Sequence, residues 1–366
     1  MAQSIYINAR FLSQRLTGVQ RYAFELVKTL DRLLQEGAIA DDIEFTLIAP
    51  PKLLTEPQFK CISLKQVGRT SGHLWEQTEL PLHTAGVPLV SLCNTAPLVK
   101  SKQVLTIHDA AVYGIPEAYS LAFRSWYRFL FSSLGRRLQA VITVSEFSKS
   151  ELLRYCPIPT EKLHVIYSGR EHALASAADE SVLSDYHLRD RPYFLAVSSL
   201  SPHKNFQGIV AALDVLGDRA DRADFDVAIA GGTNPSVFGQ SSRLLSDRVK
   251  YVGYVSDSQL RALYEHARGF IYPSLYEGFG LPPLEAMSCG CPTIVANAAS
   301  LPEVCGDAAL YCDPHDPADI AAKMRQLLED DTLCQTLKQK GLDRATQFTW
   351  EACAKSTYQV IRDALL

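Results

Sequence analysis

Short apolar runs alternate with longer segments of helical period along most of the chain. Such alternation is typical of βαβ units, in which helices cover a parallel sheet. Between the first two runs, apolar residues recur at helical spacing over 19–36, which predicts a helix. A second helix is expected from Glu146, with Ser145 as its N-terminal cap. The strand-like runs of the first half are 4–7, 45–49, 104–107, 140–144 and 162–166.

A second series of strand-like runs follows a segment of small and charged residues at 171–190. A segment of that composition is typical of a linker. We therefore expect one doubly wound α/β domain over 1–170, a second over 191–348 and a final amphipathic helix over 349–366. The strand-like runs of the second half are 193–197, 225–230, 249–252, 269–272 and 293–296.

Length and composition agree with two domains. A chain of 366 residues exceeds what one hydrophobic core usually serves, and an apolar fraction of 47% is enough to fill two. Ligands of parallel sheets lie outside the carboxyl ends of the strands. We therefore expect the active site in a cleft between the two domains.

Charge and cysteine usage exclude several classes of protein. With 36 basic and 40 acidic residues the formal net charge is −4, so the chain has no overall attraction to nucleic acid. Its nine cysteines form no CxxC pair, which indicates a reduced protein without structural zinc. The N-terminus lacks the pattern of a signal peptide, and no run of about 18 apolar residues occurs. We expect a cytoplasmic protein.

The most distinctive segment joins a predicted strand to a predicted helix and contains two acids, Glu277 and Glu285. Its glycines permit a tight turn, and Pro282-Pro283 suits the first turn of a helix. The NH groups and the dipole at the start of such a helix attract an anion, most commonly a phosphate. We expect Glu285 to lie in this first turn.

The two carboxylates would repel a phosphate, so each is expected to face a hydroxylated part of a ligand. Carboxylates accept hydrogen bonds from vicinal hydroxyls, and a sugar nucleotide offers hydroxyls on its ribose and on its sugar. A second interpretation is that Glu285 only balances the helix dipole and that Glu277 is solvated.

The segment Glu277-Gly-Phe-Gly-Leu-Pro-Pro-Leu-Glu285 resembles the E-x7-E motif of the family 4 retaining glycosyltransferases. The following Gly290-Cys-Pro292 is similar to the G-x-P step of the family. The likeness extends over essentially the whole chain, including 8–11, 144–148 and 300–309. It implies the GT-B fold, in which two Rossmann-like doubly wound domains face an interdomain cleft and the C-terminal helix crosses back to the first domain.

The resemblance also implies roles on the donor side. Glu285 corresponds to the acid that binds the ribose diol, and Glu277 corresponds to the acid that contacts the transferred sugar. Backbone NH groups of the loop between them hold the diphosphate. The residues of this loop that we expect to bind the donor are Gly278, Phe279, Gly280 and Leu281.

The resemblance implies neither a metal nor a cofactor, so side chains must supply the cations that neutralise a diphosphate. The stretch 197–205 is similar to a strand-end motif of the family, and it supplies Lys204. The arginine usual in that motif falls at Ser198 or Ser199, so His203 becomes the candidate for a second cation. The donor-binding residues expected outside the acidic motif are Gly18, Ser199, His203, Lys204 and Tyr254.

In the first domain, His108 ends an apolar strand-like run. Family members have a histidine there that contacts the donor sugar, while a structural role at a strand end is the second interpretation. We expect His108, Lys204 and Glu277 to form the catalytic set. Gly18 lies where the family has a glycine-rich loop. Residues expected on the acceptor side, with surface solvation as the alternative for the arginines, are Arg10, Arg15, Arg21 and Asp109.

Residues 121–138 contain four arginines, five aromatic residues and no acid. Basic, aromatic amphipathic helices bind anionic membrane surfaces. They also pack as ordinary core helices whose arginines extend to solvent. The first interpretation predicts peripheral attachment to the inner face of the plasma membrane, close to a lipid-linked acceptor.

As the resemblance implies, the reaction transfers a hexosyl unit from a nucleoside diphosphate sugar to a hydroxyl of a glycan or lipid-linked saccharide, with retention of configuration. The stretch 8–22 resembles members that build bacterial O-antigen and capsule chains with mannosyl units, so GDP-mannose is the leading donor. Other interpretations are a GT-B sugar-nucleotide epimerase, a glycogen-type phosphorylase and a catalytically weak sugar-nucleotide-binding partner subunit. The acidic motif favours transfer over the two other enzymes, and Glu277, Glu285 and Lys204 argue against the inactive partner.

Overall fold

The computed structural model describes residues 3–197, 201–217, 224–232 and 248–366. The chain divides into two compact units. The first unit comprises Met1–Gly169 together with Thr349–Leu366, and the second comprises Arg170–Phe348.

The segment 171–190, which the sequence predicted as a linker, belongs to the second unit instead. It contains the helix Ser181–Asp185, and its Val182, Leu183 and Leu188 are buried. Only a few apolar residues in this segment are needed to anchor it, so its overall composition resembles that of a linker although it packs as part of the unit.

The first unit is built on parallel strands that share one sheet: β1 (Gln3–Asn8), β2 (Ile43–Ala49), β3 (Ser63–Gln66), β4 (Leu89–Ser91), β5 (Gln103–Thr106), β6 (Ala140–Thr143) and β7 (Leu163–Val165). Their order in the sheet is β3-β2-β1-β4-β5-β6-β7. The order reverses between β1 and β4, where Tyr6 pairs with Leu89. At such a reversal the chain leaves the two strands toward opposite faces, which opens a crevice at their carboxyl ends.

Helices cover this sheet, and two of them pack together at its side. In the helix Gly18–Gln35 the buried residues recur at helical spacing, and the helix Trp350–Leu365 lies against it. The rings of Tyr22 and Trp350 meet at a centroid distance of 5.9 Å. The remaining α-helices of this unit are Gly72–Leu74, Leu80–His83, Ala111–Gly114, Leu121–Leu134 and Glu146–Tyr155.

The second unit has its own parallel sheet with the strands β8 (Tyr193–Val197), β9 (Asp226–Ala230), β10 (Val249–Gly253), β11 (Gly269–Tyr272), β12 (Thr293–Ala296) and β13 (Ala309–Cys312). Their order is β10-β9-β8-β11-β12-β13. This is the order of the Rossmann fold, and its reversal lies between β8 and β11.

Helices pack on this sheet through an apolar core. Phe194 and Ile229 of the strands contact helix residues such as Leu213 and Met324, all of them buried. Besides Ser181–Asp185, the α-helices in the described part of this unit are Phe206–Gly217, Asp257–His266, Leu281–Ser288, Leu301–Cys305, Pro317–Glu329 and Asp331–Ala345. Within the described ranges, none of the helices is long and apolar enough to cross a membrane.

Most predicted strands and helices are confirmed, and Ser145 caps the helix Glu146–Tyr155 by accepting from the Ser148 amide at 2.9 Å. Strands β3, β4 and β13 were not predicted. β3 is exposed along its whole length, so it lacks the apolar alternation that marks a strand. β4, with three residues, and β13, with four, were also missed, although strands of the same lengths, such as β7 and β5, were predicted.

The junction of Gly169 with the last helix generates a prediction about stability. A Cβ atom at Gly169 would lie 2.1 Å from the backbone nitrogen of Trp350. Backbone atoms cannot move aside as a flexible side chain can, so Gly169→Ala is expected to lower the free energy of unfolding by about 1–3 kcal/mol. The urea midpoint measures this change. Gly217→Ala, where a Cβ meets nothing within 4 Å, is the matched control and should leave the midpoint nearly unchanged. Equal midpoints for both variants would contradict the prediction.

Candidate functional site

Two charged side chains meet at the carboxyl ends of neighbouring strands in the second unit. Lys204 follows β8 and Glu277 follows β11, and the Lys204 ammonium lies 2.6 Å from Oε1 of Glu277. These two strands flank the reversal in strand order. The pair therefore lies at the edge of the sheet where parallel α/β proteins bind their ligands.

Hydrogen bonds hold the turn that carries Lys204. The 3-10 turn Pro202–Lys204 ends at Asn205, whose φ of 57° is left-handed. The side-chain amide of Asn205 donates to the Pro273 carbonyl at 3.2 Å, and the Ser274 hydroxyl donates to the His203 carbonyl at 3.1 Å. These bonds tie the loop after β8 to the loop after β11, so the charged side chains of the two loops are brought together.

Glu277 is nearly buried and still ionised. Only 11% of its side chain is exposed, so the interpretation of a solvated Glu277 is wrong. Burial by itself would raise the pKa of this carboxyl, but the charge and the hydrogen bond of Lys204 outweigh it and hold the pKa below its ordinary value. The Lys204 ammonium also donates to the Tyr272 hydroxyl at 2.7 Å. Tyr272 thus gives the ammonium a second fixed contact.

The loop that follows Glu277 is fixed by one hydroxyl. Ser300 donates to the carbonyl of Glu277 at 2.9 Å and to that of Phe279 at 2.8 Å. The loop ends at Gly280, whose φ of 107° is accessible chiefly to glycine. The helix Leu281–Ser288 starts there with proline in its first turn, as predicted. Pro282 and Pro283 carry no NH and the Leu284 amide donates to the Gly280 carbonyl, so this end presents the NH of Leu281 and the helix dipole beside the acidic motif.

Glu285 lies in the second turn of this helix, not in the first, because the helix begins at Leu281. Its Oε1 accepts from His172 Nε2 at 2.9 Å, and its Oε2 accepts from the Tyr264 hydroxyl at 3.1 Å. The interpretation of Glu285 as a partner of the helix dipole is therefore wrong, because dipole effects fade beyond the first turn. Its carboxylate is held by side chains from two other elements.

Three further donor-side predictions have different outcomes. Burial lowers the pKa of His203, and the neighbouring Lys204 lowers it further. An imidazole in this environment is uncharged at neutral pH, so we revise the role of His203 from cation to hydrogen-bonding group. Tyr254 is 75% exposed, so ligand atoms could reach it. Ser199 lies outside the described residues.

His108 follows β5 in the first unit, and its ring is buried. Its Nε2 lies 3.0 Å from the Leu92 carbonyl, which can only accept, so Nε2 carries the proton and Nδ1 is an acceptor. The Asn94 side chain accepts from the His108 amide at 2.7 Å, and Tyr22 packs edge-on against the ring. Burial lowers the pKa of His108 from 6.5 to about 4. The imidazole is therefore neutral and oriented.

The residues predicted for the acceptor side differ in burial and in their partners. Arg10 is buried: it donates to Thr95 Oγ1 at 2.8 Å and lies 3.3 Å from a carboxylate oxygen of Glu76. Its charge is therefore balanced inside the unit, so the interpretation of Arg10 as a solvated surface arginine is wrong. The other members are Arg15, which is exposed, Arg21, 3.8 Å from Glu25, and Asp109, which accepts from the Ala111 amide. Gly18, predicted on the donor side, is exposed.

Several side chains of these sites were missed from the sequence. His172 lies in the segment predicted as a linker, and Tyr264 lies on a helix without any motif. Glu76 belongs to a short run that gave no strand or helix pattern. Their roles follow from contacts between elements that are far apart in the chain, which no local pattern indicates.

Known proteins resemble the chain in both halves. Residues 185–344 match the family described as Glycosyl transferases group 1, and residues 81–174 match the one described as Glycosyltransferase Family 4. An O-antigen chain mannosyltransferase B of Escherichia coli is 36% identical over 270 residues, which cover 70% of this chain and 69% of that protein. An O-antigen chain mannosyltransferase of Salmonella typhimurium is 26% identical over 323 residues, which cover 85% and 87%.

Among solved structures, sucrose-phosphate synthase from Thermosynechococcus elongatus superposes with a TM-score of 0.77 at 20% identity. The match covers 99% of this chain and 98% of that one. A likeness at this level of identity concerns the fold alone. Together with the two Rossmann-like units it confirms the expected GT-B fold class.

The neutral His108 generates a prediction about pH. An unfolded chain protonates this imidazole near pH 6.5, whereas the folded protein does so only near pH 4. The unfolded state therefore binds more protons between these values, and His108 lowers stability as the pH falls through this window. We expect the free energy of unfolding to drop by about 2 kcal/mol more in the wild type than in His108→Gln between pH 7 and pH 5.

Urea titrations at both pH values measure this difference. His83→Gln is the control, because His83 is an exposed histidine of the same unit. The control should keep the pH dependence of the wild type. The same dependence in His108→Gln would mean that His108 is protonated as easily in the folded protein as in the unfolded chain.

Proposed function

Because the chain belongs to the family 4 glycosyltransferases, we propose that it transfers a mannosyl unit from GDP-mannose to a hydroxyl of a growing glycan or lipid-linked saccharide. The family membership makes the chain a glycosyltransferase, as the sequence predicted. The choice of mannose is supported by two relatives in Escherichia coli and Salmonella typhimurium that are named O-antigen chain mannosyltransferases.

The observation that carries this proposal is the nearly buried ion pair of Lys204 and Glu277 at the carboxyl ends of β8 and β11. A sugar nucleotide needs a cation for its diphosphate and hydrogen-bond acceptors for its hydroxyls. Lys204 is the cation and Glu277 the acceptor, 2.6 Å apart, and the helix that starts at Leu281 adds its dipole and the NH of its first residue. Glu285, one turn further along, is an acceptor for the ribose hydroxyls.

In the proposed step the bond between the sugar C1 and the diphosphate oxygen breaks while the acceptor oxygen bonds to C1 on the same face. The proton of the acceptor hydroxyl passes to an oxygen of the leaving diphosphate. Lys204 and the loop NH groups stabilise the negative charge that develops on the leaving group, so catalysis is mainly electrostatic and uses no metal. The neutral His108 accepts a hydrogen bond at Nδ1 from a sugar hydroxyl.

A panel of GDP-, UDP-, ADP- and dTDP-sugars tests the proposal. We expect GDP-mannose to raise the melting temperature of the protein and to be hydrolysed slowly in the absence of acceptor. Lys204→Ala should reduce this hydrolysis by about 10²–10³-fold, because it removes a preorganised positive charge. Lys340→Ala, which removes a lysine paired with Asp307 in the same unit, should leave the rate unchanged.

Lys204→Arg keeps a cation beside Glu277. Comparing it with Lys204→Ala therefore separates the effect of the charge on hydrolysis from an effect on folding. Circular dichroism shows whether each variant is folded. Full turnover in a folded Lys204→Ala variant would remove Lys204 from the mechanism. A higher melting temperature without hydrolysis in the wild type would instead indicate a sugar-nucleotide-binding partner subunit, and no response to any nucleotide sugar would contradict both interpretations.

We further propose that the helix Leu121–Leu134 contacts an anionic membrane surface. One side of the helix is anchored in the unit through Leu130, Phe131 and Leu134, while Leu121 is 68% and Phe129 is 53% exposed. Arg136 and Arg137, just after the helix, are exposed, whereas Arg128 donates to the Val112 carbonyl at 2.9 Å, and residues 121–138 contain no acid. An exposed apolar and basic surface of this kind fits phospholipid head groups. Such a contact would bring the enzyme close to a lipid-linked acceptor.

Sedimentation with liposomes tests this contact. At low salt the wild type should sediment with vesicles that contain phosphatidylglycerol and not with vesicles of phosphatidylcholine alone, because the arginines are attracted by negative charge. Leu121→Ser with Phe129→Ser should weaken this sedimentation without changing the hydrolysis of the donor. A wild type that ignores anionic vesicles would contradict the proposal.

A further inference from the structure

Both oxygens of the Glu285 carboxylate accept a hydrogen bond from a different protein side chain. His172 Nε2 lies 2.9 Å from Oε1, and the Tyr264 hydroxyl lies 3.1 Å from Oε2. The two donors come from the 3-10 turn Glu171–Leu174 and from the helix Asp257–His266. Two donors on opposite oxygens fix the plane of a carboxylate, whereas one donor would leave it able to rotate.

The turn that carries His172 is itself held in place. Arg261 donates to the carbonyl of Leu174 at 3.2 Å and to that of Ser176 at 2.8 Å. The Arg261 guanidinium is oriented by Glu265, 2.7 Å away on the same helix. The His172 side chain is buried as well, with 4% of it exposed. The imidazole is therefore a rigid donor to Glu285.

Tyr264 is equally rigid. Its side chain is buried, and its ring packs edge-on against Phe270 at a centroid distance of 5.4 Å. Burial raises the pKa of Tyr264 far above its ordinary value, and the charge of Glu285 raises it further. The hydroxyl therefore keeps its proton and donates a hydrogen bond to Oε2 of Glu285.

We infer that His172 and Tyr264 are positioning residues that set the Glu285 carboxylate to accept both ribose hydroxyls of the nucleotide donor. The inference rests on the proposed function, because it requires a nucleotide ligand. A carboxylate can accept about four hydrogen bonds, so two protein donors orient it without excluding two ligand hydroxyls. Glu285 keeps 13% of its side chain exposed, which lets a ligand reach it.

A purely structural role of His172 and Tyr264 predicts a different result. If His172 and Tyr264 only stabilised the fold, their removal would weaken the binding of every nucleotide to the same degree. If they act through Glu285, only ligands that carry ribose hydroxyls are affected. The comparison of a ribonucleotide with its dideoxy analogue therefore separates the two roles.

Isothermal titration with GDP and with 2′,3′-dideoxy-GDP provides this comparison. Should the donor screen select uridine, UDP and its dideoxy analogue replace them. The wild type should bind GDP more tightly than the dideoxy nucleotide. His172→Ala and Tyr264→Phe should each weaken GDP binding by roughly 10-fold, because a misplaced carboxylate no longer meets both hydroxyls, while the binding of dideoxy-GDP stays unchanged.

Two further variants complete the experiment. His172→Gln, which retains an N–H donor, should recover part of the affinity for GDP. His187→Gln changes an exposed histidine of the same unit and should bind both nucleotides like the wild type. Tyr264→Phe keeps the buried ring, so it remains informative if His172→Ala does not fold.

The outcomes distinguish this inference from the proposed function. Equal losses for GDP and dideoxy-GDP, or no loss for either, would overturn the positioning role and leave the glycosyl transfer intact. A wild type that binds both nucleotides equally would also overturn it, since Glu285 would then not bind the ribose. A wild type that binds no nucleotide would overturn the proposed function together with the inference.

Discussion

The contact between Lys204 and Glu277 is the interaction that organises the carboxyl edge of the sheet in the second unit. A carboxylate with 11% of its side chain exposed stays ionised only if a cation remains beside it. Burial makes the attraction between the two charges stronger, but it also removes their hydration. The ion pair is therefore stable only where the backbone holds the two side chains in contact. The hydrogen bonds between the loops after β8 and β11 supply that constraint.

The order of the strands makes these loops neighbours. Lys204 and Glu277 are 73 residues apart in the sequence, and they meet because β8 pairs with β11 across the reversal in strand order. The same arrangement brings the start of the helix Leu281–Ser288 to this edge of the sheet. A cation, two carboxylates and a helix N-terminus are thereby gathered in one unit, and the chemistry of a sugar nucleotide matches that set.

Two residues of the first unit that were expected at the site, His108 and Arg10, carry no unbalanced charge. His108 is uncharged because burial lowers its pKa to about 4, and its protonated nitrogen is occupied by the Leu92 carbonyl. The charge of Arg10 is balanced by the buried Glu76. His108 can therefore accept or donate a hydrogen bond but cannot neutralise an anion.

The sequence by itself determined the fold class, most of the strands and the acidic motif, because these depend on local periodicity and on residues that are close in the chain. It also led to Lys204, through the pattern at the end of β8. The ionisation of Glu277 and the loss of a cationic role for His203 required the tertiary structure, since both depend on burial and on a neighbouring charge.

The partners of Glu285 were decided by the tertiary structure alone. His172 lies 113 residues before Glu285, in a segment whose composition resembles a linker, and Tyr264 lies on a helix without a motif. Arg10, which looks like a surface arginine in the sequence, is buried against Glu76. Local patterns report how each segment folds, whereas the packing of distant segments decides which side chains lose water and which partners they meet.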